Sequence, residues 1–96
     1  MDKKLKEEFL KLREIVIEHK NLSIYSVLRA IDYIFKLVEI DYEKNQKEIL
    51  SVFEECFPKH GGLTDFIVYD KNINIMKEKN EKLKTRISNI FLILKQ

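Results

Sequence analysis

The chain has 96 residues, 45% of them hydrophobic and 35% charged, and a net charge of +2 at pH 7. That balance excludes a disordered segment, and the length suits a single domain, residues 1–96, that buries one core without disulfide or metal staples. Two glycines and one proline leave little punctuation, so long helices are expected in place of a many-stranded sheet.

Residues 2–20 read as a first helix. Leu5, Phe9, Leu12 and Val16 recur at steps of three and four, with Leu10, Ile15 and Ile17 beside them, which is the helical period. Asp2 suits the N-cap. His19, Lys20 and Asn21 suit a stop, because cations favour the C-terminal dipole and Asn tolerates a left-handed cap. A short link at Asn21 and Leu22 then sends the next helix back antiparallel. That helix, residues 23–40 with Ser23 as its cap, is apolar on nearly every side. Only Arg29, Asp32, Lys36 and Glu39 draw a polar line along it. A helix this apolar must be surrounded, which makes it the expected central post.

The run Asp41-Tyr42-Glu43-Lys44-Asn45 breaks the apolar pattern. A third helix is expected over about 43–57, with Ile49, Val52, Phe53 and Cys56 inward, ended by Pro58 and by Gly61-Gly62. The loop that follows has the richest turn chemistry of the chain. Gly61 and Gly62 open backbone conformations closed to other residues, and Thr64 and Asp65 suit a cap or an Asx turn. Phe66 to Tyr69 is a short apolar run that is either a helical turn or extended, since periodicity does not decide over four residues. A last helix from about residue 76 or 78 to 94 carries Leu83, Ile87, Ile90, Phe91 and Leu94 on one face. The expected fold is all-α: a small antiparallel bundle of four main helices, with the irregular segment 58–74 packed over one end.

The chemistry-bearing residues are few. Cys56 is the only cysteine, which fits a small buried hydrophobe in a reducing compartment. Cys56 and His60 stand four apart, but Pro58 breaks the register that would align them for zinc or for nucleophilic catalysis. Neither His19 nor His60 follows a Glu by three residues, so the di-iron bundle pattern is missing. No phosphate-loop spacing occurs around the glycine pair. No catalytic residue, cofactor or metal is expected, and no enzymatic activity. The N-terminal segment is charged throughout, and residues 23–40 carry Asp32, Lys36 and Glu39. Neither a signal peptide nor a membrane span is therefore expected, and the expected compartment is the cytoplasm.

Charge is spread unevenly. Residues 37–70 carry eight acidic and three basic side chains, a net of −5, and residues 71–96 carry seven basic and two acidic, a net of +5. Mutual neutralisation of the two segments is the plainer reading. The sharper readings give each segment a partner. Glu39, Asp41, Glu43, Glu48, Glu54 and Glu55 would then form a partner-binding surface. Lys77, Lys79, Lys82, Lys84 and Arg86 would form a phosphate-binding stripe.

One resemblance extends over residues 48–91. Gly61, Gly62, Leu63, Asp65 and Phe66, with Asn80, Glu81 and Leu83 further on, follow a helix that ends in Phe. This resembles a family of small uncharacterised bacterial helical proteins carrying a Gly-Gly-Met-Gly-Ser-Phe-Asn-Asp-Leu loop, with Thr64 here where Asn is usual. Such proteins are similar in size and plainness to cytoplasmic immunity proteins, which neutralise a cognate toxin by binding it. The leading expectation is accordingly a non-enzymatic protein-binding module of the immunity or antitoxin type, acting by occlusion of a basic toxin. The alternatives are a nucleic-acid-associated protein using the basic last helix, and a homodimeric scaffold completed by Tyr25, Tyr33 or the Phe66–Tyr69 run.

Overall fold

The computed structural model describes residues 2–19 and 24–96. Among them the protein is all-helical, with α1 (Asp2–Glu18), α2 (Tyr25–Glu54) and α3 (Ile73–Leu94). The expectation of four helices is thus corrected to three. The residues assigned to a second and a third helix belong to one element, interrupted only at Asp41 (φ −170°, ψ 100°). The reason is local. One extended residue redirects the chain, and the Asp41 carboxylate immediately accepts the N–H of Lys44 at 3.1 Å, so the helix restarts without a loop. The expected caps at Asp2 and Ser23, the stop at Lys20 and Asn21, and the link before Ser23 lie outside the described residues and side chains.

The redirection is large. Tyr33 Oη donates to Glu48 Oε1 at 2.7 Å across a separation of 15 residues, whereas a straight helix would hold such positions about 22 Å apart. α2 therefore doubles back on itself at Asp41. Two side-chain amides seal the groups freed at this end. Asn45 Nδ2 donates to Leu37 O at 3.1 Å, and Gln46 Nε2 donates to Leu94 O, at the end of α3, at 2.9 Å.

The core is one cluster. Leu5, Phe9, Leu12 and Val16 are fully buried, because their spacing places all four on one face of α1. α1 packs on both α2 and α3 more extensively than those two pack on each other. The expected central post is corrected on the same ground. Val27, Ile31, Ile34, Leu37 and Val38 are buried, but Tyr25, Tyr33 and Ile40 of the same stretch are exposed, and α1 takes the middle. Phe53 joins the layers, its ring centroid 5.3 Å from Phe9, 5.3 Å from Phe57 and 4.8 Å from Phe91. Each such pair is worth about 0.5–1.5 kcal/mol beyond its buried area.

Between α2 and α3 the chain is irregular. Phe66 and Val68 are buried while Ile67 and Tyr69 are exposed, the period of two that belongs to an extended chain. Asn80 of α3 holds this segment. Its Oδ1 accepts Val68 N–H at 2.9 Å, and its Nδ2 donates to Val68 O at 2.9 Å and to Met76 O at 2.8 Å. α3 begins earlier than expected, at Ile73. Asn72 caps it by accepting from Asn74 N at 2.9 Å and Ile75 N at 3.3 Å. Ile73 and Ile75 are exposed, so the first turn carries no apolar period that would mark it.

Candidate protein-docking surface

The six acidic residues singled out in the sequence all lie exposed on or beside α2, but the structure does not bring them into one patch. Glu39, Asp41 and Glu43 gather at the bend. Glu54 and Glu55 sit at the other end of the returning half, roughly 16 Å from Glu43 along the helix axis at 1.5 Å per residue. Glu48 lies between and is engaged by the Tyr33 hydroxyl. That hydrogen bond, and then the Glu48 charge, push the Tyr33 phenol above its ordinary value.

The bend is therefore the coherent part. A cleft of about 810 Å³ opens there. Glu39, Asp41 and Glu43 contribute to its lining, Tyr42 and Ile93 contribute apolar area, and neither Lys nor Arg lines it. Ile40 also lines the cleft and is 76% exposed. An exposed apolar side chain that shares a cleft with three carboxylates has the composition of a docking anchor with a polar rim. The Asp41–Lys44 and Asn45–Leu37 bonds tie down the backbone at the bend.

The basic stripe is largely neutralised within the fold. Lys79 Nζ lies 3.4 Å from Asp70, Lys82 Nζ lies 3.4 Å from Glu78, and Arg86 Nη1 lies 3.3 Å from Glu8. Glu8 is only 5% exposed, so Arg86 serves the packing of α1 on α3. Lys77 and Lys84 stand exposed outside these pairs. Asp70, facing Lys79, accepts the Asn72 N–H at 2.9 Å. That bond first, and the lysine after it, hold its carboxyl below the usual range.

The glycine loop is knotted to itself. Gly61 N–H donates to Asp65 Oδ2 at 2.6 Å, Thr64 Oγ1 donates to Pro58 O at 2.6 Å, and Leu63 N–H donates to Cys56 O at 2.8 Å. Phe66 is buried and anchors the far side. Gly62 adopts φ +55°, and a Cβ there would stand 2.6 Å from Cys56 O. The loop thus holds the exit from α2 in place. Cys56 donates its thiol to Val52 O at 3.7 Å, and burial, with Glu55 behind it, pushes the thiol up to about 11. The Cys56–His60 pair is not joined by a hydrogen bond, and a thiol so raised holds little thiolate at neutral pH. Among the described residues no group of three His, Cys, Asp or Glu could hold a metal ion.

Reading along the chain missed Asn80, Asn45 and Gln46 as backbone clamps, and Tyr33 as the partner of Glu48. The available signal was the polar amide inside a helix. Asn competes with the helix for backbone groups, so its presence there points to a bond elsewhere.

Comparison with family models, curated proteins and solved structures gave no match.

Proposed function

We propose that this protein is a non-enzymatic binding module of the immunity or antitoxin kind, which seats a basic protein partner on the bend of α2 and occludes it. The observation that carries this reading is the cleft at the bend, where Glu39, Asp41 and Glu43 share the lining with the exposed Ile40 and neither Lys nor Arg takes part in it. Carboxylates on the rim steer a basic partner and speed its association, while the apolar centre slows its release. The compartment that fits this role is the cytoplasm, and no helix among the described residues is long and apolar enough to cross a membrane.

The test starts from a pull-down with the native lysate and the products of neighbouring genes. A stoichiometric basic partner held by the native protein should be lost when Ile40→Asp and Glu43→Lys are combined. It should be retained when Glu54→Lys and Glu55→Lys are combined at the far end. The reverse pattern, or equal binding by all three proteins, sinks the assignment. The nucleic-acid reading has less support, because three of its five cations already face carboxylates. A gel shift that weakens steeply with salt would restore it.

A further inference from the structure

Among the described residues, the extended segment at residues 66–70 presents an open edge that is complementary to itself. Asn80 takes both backbone groups of Val68, as a neighbouring strand would. Backbone groups alternate in direction along an extended chain. The N–H and C=O of Ile67 and Tyr69 therefore point away from Asn80, and among the described residues nothing takes them up. Both side chains are also turned outward, 68% and 77% exposed. An edge of this kind is a template for another strand.

We infer that this edge pairs with the same edge of a second copy of the chain, antiparallel, about a twofold axis at Val68. The register follows from the residues. Ile67 of one copy faces Tyr69 of the other, and the two exchange both backbone hydrogen bonds, so the axis generates four. The same register stacks isoleucine on tyrosine twice, a pair that favours sheets. It also sets the exposed Lys71 of one copy on the same side as the exposed Asp65 of the other, in the bends just beyond the extended segment, so opposite charges flank the ladder at both ends. Parallel pairing, or a slip of one residue, loses the charge match. Five residues per strand make a small interface, and interfaces burying less than about 1,200 Å² in total are weak ones, so the dimer forms and dissociates with protein concentration. This edge is separate from the bend of α2, and the two proposals stand or fall independently.

Sedimentation over a concentration series tests the inference, with amide exchange read by NMR. The native protein should shift from monomer to dimer as concentration rises, and exchange at Ile67 and Tyr69 should slow with it while Val68 stays unchanged. The double variant Ile67→Lys/Tyr69→Lys and the double variant Ile67→Glu/Tyr69→Glu should each fold, since both positions are exposed, and each should be monomeric. Mixed in equal amounts they should associate, because lysine then faces glutamate at every pair. A native protein that stays monomeric throughout overturns the inference and leaves the edge to a different chain. A dimer that survives in either variant alone overturns it too, as does a mixture that fails to associate.

Discussion

At the scale of single residues, most of the sharp constraints lie where the backbone turns. Gly62 combines a left-handed φ with a close approach to the Cys56 carbonyl, while Gly61, at φ +84°, has nothing within 4 Å of the place a methyl group would take. The two glycines are therefore unequal. Gly62→Ala should cost about 2–4 kcal/mol and Gly61→Ala about 1 kcal/mol, measured by chemical denaturation, since both share the φ penalty but only the first adds a clash. Equal losses would mean that the loop relaxes around residue 62. Tyr33 gives the pH-dependent counterpart. Its phenol is raised by the bond to Glu48. The stability it contributes is intact below the ordinary tyrosine value and is lost as pH rises through the folded one. In Glu48→Gln, the phenolate absorbance should titrate earlier than in the native protein. Titration at the native pH would mean that the contact across the bend is absent in solution.

At the scale of elements, the apolar period was informative and the breaks were not. Leu5, Phe9, Leu12 and Val16 announced the buried face of α1, and all four are fully buried. The disruption at Asp41 was visible as a polar run. Its extent was not, because any residue can adopt an extended φ and one such residue was enough. The apolarity of residues 23–40 pointed to a helix enclosed on all sides, but composition does not say which elements come to cover it. Ile40, at the end of that stretch, is left exposed. The segment after the glycine loop depended on a single side chain twelve residues onward, a link that no local pattern reveals. Asn80 makes three bonds there. Asn80→Ala should cost about 1–3 kcal/mol by leaving part-buried backbone groups without partners. Asn80→Asp should be at least as costly at neutral pH, since a carboxylate would face the carbonyls of Val68 and Met76. Proteolysis in both variants should concentrate near residues 66–70. Cleavage no faster than in the native protein would show that the buried Phe66 and Val68 hold the segment without the clamp.

At the scale of the whole molecule, charge is arranged in layers of use. The carboxylate of Glu8 is absorbed by Arg86 to join α1 and α3, and Asp70 and Glu78 absorb Lys79 and Lys82. The excess acidity of residues 37–70 is left to face solvent along α2. Three of those carboxylates, Glu39, Asp41 and Glu43, share the cleft at the bend with Ile40, and Glu54 and Glu55 lie at the far end of the returning half. All six read as one acidic stretch in the sequence, although a helix over 43–57 already sets Glu43 and Glu54 apart by its rise; what the reversal at Asp41 adds, and the sequence did not show, is the cleft at the bend. The two ends can therefore be told apart in a complex. Carbodiimide labelling of carboxyl groups, read by mass spectrometry with and without the captured partner, compares the two ends in one experiment. Glu39, Asp41 and Glu43 should lose reactivity in the complex while Glu54 and Glu55 keep theirs. Protection at Glu54 and Glu55 with the bend fully reactive would contradict it.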